Sequence, residues 1–288
     1  MRFIRPMALC CALLLAACAT PPAMRTSEVA AQWQQQVTAI SAGDDTAARG
    51  KAITDALAAL GLSWQAQSFQ ATGETGHNLI ADLPGPASAP LLRIGAHYDR
   101  VAVGRGATDN ASGAATVLQL AAAFKARPLR RHRVQVAFWD LEEKGLLGSA
   151  AFVKTPGQEK PALYVNFDVF AWGDTLWMMT PTPSGPLAAR AASAARANGL
   201  GFRPGTEYPD TDHRAFLAAG WPAVSFSLLG KDEIEDTLAA FTGGKPASMP
   251  KAAQVLHSAN DTLDKIDATS MPQAIRALEA ALRAWDAG

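Results

Sequence analysis

The hydrophobic positions of the chain fall into two patterns, and each pattern predicts one kind of element. Helical spacing of apolar residues indicates helices, which we expect at 27–60, 112–125, 146–153, 185–198 and over the C-terminal residues. Short apolar runs bounded by Gly, Pro or polar clusters indicate strands, and these runs are 62–70, 78–83, 91–96, 134–139, 162–167, 176–179 and 223–228. Because strands and helices alternate, we predict a three-layer α/β/α fold around a mixed, mostly parallel central sheet.

The C-terminal helix has the clearest predicted boundary. Ser270 and Gln273 have the spacing of a capping box, and Pro272 is suited to the first turn of a helix. We therefore expect the helix to begin directly after Ser270.

The first 18 residues have a different pattern. Arg2 and Arg5 precede the apolar run 7–16, which is shorter than the about 20 residues needed to span a bilayer and predicts a secretory signal. Leu15-Ala-Ala-Cys18 resembles the lipobox of bacterial lipoproteins, in which the cysteine is lipidated. Cleavage at an Ala-x-Ala-like site without a lipid is the alternative interpretation.

Lipidation of Cys18 would make residues 1–18 a lipoprotein signal peptide, 19–26 a tether and 27–288 one domain. Ala19 stands where an Asp is linked to inner-membrane retention, which favours the outer membrane, facing the periplasm. We thus expect a protein of the cell envelope that contacts the membrane through a lipid anchor alone.

Composition narrows the possible functions. The 288 residues are 49% hydrophobic and 18% charged, which is typical of a folded domain with a large core. Lys+Arg and Asp+Glu both number 26, so no excess of positive charge indicates a nucleic-acid partner. All three cysteines lie within residues 1–18, and no Gly-x-Ser-x-Gly occurs, which disfavours a thiol or serine nucleophile.

Candidate chemistry begins with Glu142 and Glu143, which directly follow the apolar run 134–139. Burying two unpaired carboxylates would cost several kcal/mol, so a counter-charge is expected beside them. Polar residues of metal-ligand type also flank other apolar runs: His97, Asp109, Glu143, Asp168 and His257. Nitrogen and oxygen ligands of this kind bind zinc, cobalt or manganese.

Each of these residues has an ordinary alternative role when it is considered singly. Asp109, ahead of the predicted 112–125 helix, could be only a helix cap. A lone histidine is more often a surface residue than a ligand, and His132 between two arginines indicates solvated surface. Asp99 lies two residues after His97, a spacing that on a strand directs both side chains to one face. We therefore expect Asp99 to support the imidazole or a nearby ligand.

Five segments in order resemble the motifs of the M28 family of zinc metallopeptidases, which comprises aminopeptidases and related exopeptidases with two metal ions in one site. These segments are His97-Tyr-Asp99, Asp109-Asn-Ala-Ser-Gly113, Glu142-Glu-Lys-Gly-Leu-Leu-Gly-Ser149, Asn166-Phe-Asp168 and His257-Ser-Ala-Asn-Asp261. The resemblance runs from about residue 74 to the C-terminus. It implies the zinc-exopeptidase (phosphorylase/hydrolase-like) fold and a peptide or aminoacyl substrate.

The resemblance also implies a role for each residue. Asp109 would bridge two Zn²⁺ ions, with His97 and Asp168 completing one shell. Glu143 and His257 would complete the other shell. Glu142 would be the general base and Asp99 its catalytic partner in the surrounding shell.

A sixth segment, Tyr208 to Phe216, resembles the family's Ser-Asp-His region with Thr211 in place of Ser. Asp212 and His213, with Tyr208, are candidates for lining the substrate pocket. A capped helix start at the surface is the alternative interpretation.

Several functions fit the resemblance, and an aminopeptidase is favoured. Thr108, where many members have Asp, also occurs in the related single-zinc glutaminyl cyclases of the same fold. Ser112-Gly113 and the 143–149 run follow the peptidase pattern. A non-catalytic binding lipoprotein is disfavoured because every ligand position and the base are present. The sequence does not indicate which substrate side chain is preferred. The aromatic candidates for lining its pocket are Phe170, Trp172, Phe226 and Phe241.

Overall fold

A computed structural model describes residues 26–288. The predicted signal segment 1–18 with Cys18, and residues 19–25 of the predicted tether, lie outside these residues. Among the helices of residues 26–288, none is both long enough and apolar enough to cross a bilayer.

Eight strands and nine α-helices make up the described part of the chain. The strands are β1 Trp64–Ala71, β2 Glu74–Asp82, β3 Leu91–His97, β4 Arg133–Trp139, β5 Leu163–Phe170, β6 Thr175–Met179, β7 Gly201–Gly205 and β8 Ala223–Leu229. The helices are α1 Thr26–Ser41, α2 Thr46–Ala59, α3 Ser112–Ala126, α4 Leu147–Lys154, α5 Pro186–Ala197, α6 His213–Ala218, α7 Ile234–Phe241, α8 Lys251–Val255 and α9 Met271–Asp286.

All eight strands form one sheet in the order β1-β2-β4-β3-β5-β8-β6-β7. Its centre is parallel, because β4, β3, β5 and β8 run in the same direction. The antiparallel pairs are β1 with β2, β2 with β4, and β6 with β8. The predicted mixed, mostly parallel sheet is confirmed.

Helices cover both faces of the sheet, and alternation along β4 explains why. Val136 and Phe138 face the main core with α1, α2, α3, α5 and α9. Ala137 and Trp139 face the opposite side, where they pack with Phe152 of α4 and with α6. Each large side chain buried in this way contributes about 1.5–3 kcal/mol. The predicted three-layer α/β/α fold is confirmed.

The predicted helical segment 27–60 is helical over most of its length, but it forms two helices instead of one. The chain turns at 42–45, and the Asp45 side chain accepts a hydrogen bond from the Ala48 N–H at 2.7 Å. This N-cap starts a second helix with its own direction. Because of this turn, α2 packs against the loop that follows β3.

One strand was missed by the sequence analysis, and one expected feature is absent. Strand β7 was not predicted; its sequence Gly-Phe-Arg-Pro-Gly carries a proline, which an edge strand tolerates. The capping box is absent, because Ser270 has helical φ −90° and ψ −3° and its side chain makes no cap hydrogen bond. The start of α9 at Met271, with Pro272 in the first turn, is as expected.

His132 is not a solvated surface residue. Its side chain is 15% exposed, and its Nδ1 lies 2.9 Å from Asp286 Oδ1 at the end of α9. The same carboxylate accepts the backbone N–H groups of Arg130, Arg131 and His132. The C-terminal helix is thereby fixed to the turn before β4.

Candidate active site

The parallel centre of the sheet brings the candidate residues together. His97 is the last residue of β3, and Glu142 and Glu143 follow the end of the neighbouring β4. Asp168 lies on β5, on the other side of β3. Because carboxyl ends of parallel strands meet at one edge of a sheet, these side chains share one cleft.

The sequence predicts that Asp168 comes at the end of its strand, but the strand continues past it. It lies inside β5, where the pairing with β8 shifts register between Phe167 and Phe170. Val169 has a left-handed φ of 58° at this irregularity. A bulge of this kind re-aims a side chain, which directs Asp168 towards His97.

Asp109 lies in a wide turn, 107–111, before α3, and it does not cap that helix. Asn110 does so instead, because its Oδ1 accepts the Gly113 N–H at 2.9 Å. The Asn110 side chain also donates to the Phe167 carbonyl at 2.9 Å, which ties the turn to β5. The peptide bond between Asp109 and Asn110 is cis. The helix-cap alternative for Asp109 is therefore wrong.

A single carboxylate contacts both histidines. Asp109 Oδ1 lies 3.1 Å from His97 Nε2, and Asp109 Oδ2 lies 3.1 Å from His257 Nε2. Asp168 Oδ1 is 3.6 Å from His97 Nε2, and Glu143 Oε2 is 3.1 Å from His257 Nε2. The two histidines thus have separate carboxylate partners and share Asp109.

Glu142 lies beside this arrangement. Its Oε2 is 4.0 Å from His97 Nε2, and the residue is buried. Burial raises the pKa of the Glu142 carboxyl well above its usual value. The charge of His97 opposes this rise, whereas the charge of Asp212 adds to it.

The donor atoms fit a metal centre. Two sets of three donors lie within 4.8 Å of one another, and the sets share His97: His97 with Asp109 and Glu143, and His97 with Glu142 and Asp168. Buried Glu143 Oε1 and Asp168 Oδ1 have no hydrogen-bond partner. Mixed imidazole and carboxylate donors with unused lone pairs are what a divalent cation such as zinc requires.

Protons and cations compete for these atoms. Hydrogen bonds to Asp109 and Glu143 raise the pKa of His257 to about 11. Burial would raise the pKa of Asp109, but hydrogen bonds from His257 and His97 bring it below its usual range. Metal binding must therefore displace protons from the histidines, which makes it dependent on pH.

Asp99 holds the pair of glutamates through the backbone. Its Oδ1 accepts the Glu142 N–H at 3.1 Å and its Oδ2 accepts the Glu143 N–H at 3.1 Å. Oδ1 also lies 3.3 Å from His97 Nδ1. Asp99 thus touches three of the candidate residues, although β3 ends two residues before it.

Asp261 likewise accepts two backbone N–H groups, here from the turn that contains Asp109. No role was predicted for Asp261. Its Oδ1 accepts the Thr108 N–H at 2.6 Å, and its Oδ2 accepts the Asp109 N–H at 3.0 Å. The available sequence signal was its position at the end of the fifth motif, four residues after His257. Its partners, more than 150 residues away, are set by the fold.

Comparison with known proteins agrees with this geometry. The sequence profile of peptidase family M28 matches residues 78–282, well over half of the chain. The chain belongs to peptidase family M28.

Two curated relatives are similar over much of the chain. The probable lipoprotein aminopeptidase LpqL of Mycobacterium tuberculosis is 31% identical over 245 residues, which cover 73% of this chain and 44% of LpqL. Leupeptin-inactivating enzyme 1 of Streptomyces exfoliatus is 35% identical over 176 residues, covering 57% of this chain and 40% of that enzyme. The chain thus spans less than half the length of either relative.

Solved structures share the M28 fold. A zinc aminopeptidase of Bacillus subtilis superposes with a TM-score of 0.60 at 24% identity, over 73% of this chain and 50% of that one. A glutaminyl cyclase of Porphyromonas gingivalis superposes with a TM-score of 0.69 at 20% identity, over 90% of this chain and 97% of that one. At these identities the likeness establishes the fold.

In this M28 chain, Asp212 and His213 are buried and do not lie at the surface. Asp212 is 0% exposed, and neither of its carboxylate oxygens has a hydrogen-bond partner. His213 begins α6, and burial lowers its pKa to about 4, so its imidazole is neutral at pH 7. The alternative of a surface helix start is therefore wrong. The Tyr208 hydroxyl is hydrogen-bonded to Ser227 Oγ, and Ser227 Oγ donates to the Asp168 carbonyl.

A buried polar chain connects this segment to the sheet. Trp139 Nε1 donates to the Tyr164 hydroxyl, which donates to Asn166 Oδ1, each at 2.7 Å. The Asn166 amide then donates to Thr211 Oγ1 at 3.1 Å, directly before Asp212. Thr211, the residue that departs from the family pattern, thus anchors the segment that carries Asp212.

A pocket with apolar walls opens beside the metal-ligand candidates. Asp109, Glu142, Asp168 and His257 lie at one end of it. Its apolar walls come from Val169, Trp177, Leu229, Phe241 and Leu256. Of the four aromatic candidates, Phe241 lines the pocket. The other three lie in hydrophobic clusters: Phe170 and Phe226 in the main core, and Trp172 in the cluster beside the pocket.

Asp212 gives a testable dependence of stability on pH. Burial raises its pKa from 3.8 to about 7, so the folded state favours the protonated carboxyl and loses stability as pH rises from about 4 to 7. Asp212→Asn does not titrate. We expect the difference in melting temperature, variant minus wild type, to increase between pH 4 and pH 8 in chelator-treated protein.

The matched control is Asp210→Asn, because the Asp210 side chain is 67% exposed. Its difference from wild type should not show the increase expected for Asp212→Asn. A constant difference for Asp212→Asn across the same range would contradict the raised pKa.

Proposed function

We propose that this chain is a zinc-dependent aminopeptidase that hydrolyses the N-terminal peptide bond of its substrate. The observation that carries the proposal is the contact of Asp109 with both His97 and His257, at 3.1 Å each. A carboxylate that serves two histidines is suited to bridging two cations. M28 membership and the aminopeptidase names of the relatives support the same activity.

Five residues would hold two zinc ions. We assign His97 and Asp168 to one ion, Glu143 and His257 to the other, and Asp109 to both. The contacts of each histidine with its own carboxylate support this division. When bound, zinc supplies Lewis-acid polarisation of the peptide carbonyl and makes water at the site more acidic.

Glu142 acts as the general base in this proposal. It takes a proton from the water that attacks the carbonyl carbon, and it delivers that proton to the amine as the C–N bond breaks. Its raised pKa suits both transfers, because a carboxyl of ordinary pKa is a weaker base. Asp99 is its partner, since the Asp99 carboxylate accepts the Glu142 N–H and fixes the position of the base.

The substrate would enter by the pocket with apolar walls. The side chain of the N-terminal residue fits against Phe241 and Trp177, next to Glu142. We assign Tyr208, Asp212 and His213 to the substrate-binding side of the cleft. Tyr208 lines the pocket itself, and neutral His213 can donate to or accept from a peptide group.

A glutaminyl cyclase is the second candidate, and one observation favours it. This chain covers 97% of the Porphyromonas gingivalis cyclase but 50% of the zinc aminopeptidase of Bacillus subtilis. The aminopeptidase is preferred because several curated sequence relatives, LpqL among them, carry that activity in their names, at identities of 31% and above. A non-catalytic binding lipoprotein has less support, because Glu142 and four ligand candidates lie close to His97 or Asp109, and His257 contacts Asp109.

The chain is also proposed to be a lipoprotein of the cell envelope. The Leu15-Ala-Ala-Cys18 segment and the name of the LpqL relative support lipidation of Cys18. Residues 19–26 would tether one catalytic domain, 27–288, to the outer membrane facing the periplasm. The substrate would then be a periplasmic peptide.

Metal content and substrate preference test the proposed activity directly. We expect close to two zinc equivalents per chain and hydrolysis of aminoacyl substrates that is lost on chelation and restored by zinc. The measurement is elemental analysis alongside a panel of aminoacyl and glutaminyl substrates. One tight equivalent, with glutamine cyclisation and no hydrolysis, would establish the cyclase instead.

The two adjacent glutamates should separate into a base and a ligand. Glu142→Gln keeps the size of the side chain but cannot accept a proton, so the rate should fall by about 10²-fold or more while zinc is retained. Glu143→Gln replaces an anionic ligand with a neutral amide and should weaken zinc binding. Rates and zinc content are measured on the same preparations.

The control for this pair is Glu279→Gln on α9, which should change neither quantity. Loss of zinc from Glu142→Gln with retention in Glu143→Gln would reverse the two assignments. Unchanged hydrolysis in both variants would place the active site elsewhere.

Lipidation can be tested in cells that secrete the protein. Cys18→Ser removes the acceptor thiol, so the protein should move from the membrane fraction to the soluble fraction. Cys11→Ser, in the same segment, should leave it in the membrane fraction. A wild-type protein that is already fully soluble would disprove the anchor.

A further inference from the structure

Arg49 on α2 is a fully buried cation at the back of the candidate active site. Its side chain is 0% exposed, and among residues 26–288 its hydrogen bonds go to backbone carbonyls instead of to a carboxylate. It lies outside the 78–282 region that matches the family profile. A buried guanidinium without a paired carboxylate is costly, so its retention calls for a compensating role.

The guanidinium donates to three backbone carbonyls of one loop. Nε donates to the Tyr98 carbonyl at 2.5 Å, and the two terminal nitrogens donate to the carbonyls of Arg105 and Gly106 at 2.9 and 3.1 Å. A planar fork with five N–H groups can serve three convergent acceptors, which an ammonium group cannot match in geometry. Arg49 therefore fastens both ends of the loop 98–106.

Both ends of this loop carry candidate site residues. Tyr98 lies between His97 and Asp99, the carboxylate that holds the backbone of the glutamate pair. Gly106 begins the turn that contains Asp109, and its carbonyl also accepts the Ala111 N–H at 3.1 Å. Fixing the loop at these two points sets the distance between His97 and Asp109.

The loop also donates hydrogen bonds to the segment before α2, so several contacts connect the loop to this part of the chain. Arg105 donates to the carbonyls of Ser41 and Ala42 in the turn before α2, and Arg100 donates to the Asp44 carbonyl. A methyl group on Gly50, the neighbour of Arg49, would lie 3.1 Å from the Tyr98 ring. Backbone of α2 therefore packs directly against the residue that Arg49 binds.

We propose that Arg49 is a positioning residue for the metal centre, which holds the loop 98–106 so that His97, Asp99 and Asp109 keep the arrangement that a cation requires. The role depends on the fork of hydrogen bonds more than on the charge. A positive charge by itself would repel a bound cation, whereas a fixed loop lowers the cost of assembling its ligands.

The charge still contributes to the site in the absence of a cation. Burial lowers the pKa of Arg49 to about 10, and the charges of Asp99, Asp261 and Asp109 act to raise it. Arg49 is therefore ionised at neutral pH. It offsets part of the repulsion among the carboxylates that surround it.

The test compares Arg49→Lys with Arg49→Met in the full chain. The lysine keeps the charge but loses the fork, and the methionine loses both. We expect zinc affinity to fall by about 10–100-fold in both variants, the range found for residues that hold metal ligands from behind. Affinity is measured by competition with a chromophoric chelator, well below the melting temperature.

The matched control is Arg93→Lys. Arg93 is 1% exposed and likewise donates to neutral groups, Gln135 Oε1 and the Glu159 carbonyl, but it makes no contact with the loop 98–106. Its variant should lose stability while zinc affinity stays within twofold of wild type. A purely structural arginine would behave in this way, so the control separates positioning from folding.

Three results would overturn the inference. Wild-type zinc affinity in Arg49→Lys would mean that the charge suffices, and higher affinity in Arg49→Met would mean that Arg49 opposes the cation. Failure of both variants to fold, where Arg93→Lys folds, would assign Arg49 a structural role alone. The inference rests on the proposed function only in taking zinc as the cation. If the wild-type protein binds zinc but hydrolyses no peptide, the proposed peptidase activity is rejected. Reduced zinc affinity in the Arg49 variants would still support the positioning role of Arg49.

Discussion

The burial of several carboxylates in one cleft is the constraint on which this structure depends. Asp99, Asp109, Glu142 and Asp261 are all buried, and each would destabilise the fold if its charge were left uncompensated. Two of them are compensated by pairs of backbone N–H groups, and Asp109 is compensated by two histidines. Compensation by the chain is incomplete, since atoms of Glu143 and Asp168 lack hydrogen-bond partners.

This incomplete compensation is the expected signature of a functional site. Ordinary cores satisfy their buried polar groups, and exceptions concentrate where a ligand or a reaction uses them. Here Asp168 lies at one end of a pocket with apolar walls, where the lower local dielectric strengthens electrostatic interactions. The incompletely compensated carboxylates of the cleft destabilise the folded state, and the hydrophobic packing of helices on the sheet stabilises it.

The fold alone does not choose among the functions that it supports. Aminopeptidases and a glutaminyl cyclase superpose on the same sheet, so the activity must be argued from side chains at the carboxyl edge. In the proposed function, the contact that Asp109 shares with His97 and His257 favours a site for two cations over a site for one. The N-terminal pair α1 and α2, outside the region matched by the family profile, is joined to this edge through Arg49.

The apolar patterns along the sequence were sufficient to predict the layered α/β/α class, because they report which residues each element buries. The sequence also supplied the candidate ligand residues, since their motifs are local runs with a fixed order. The break at Asp45, the edge strand β7 and the role of Asp261 were decided by the tertiary structure. These features depend on partners far along the chain: Asp261 binds Thr108 and Asp109, and His132 pairs with Asp286. Local sequence patterns do not predict such contacts, because a hydrogen bond between distant residues forms only when the fold brings its donor and acceptor together.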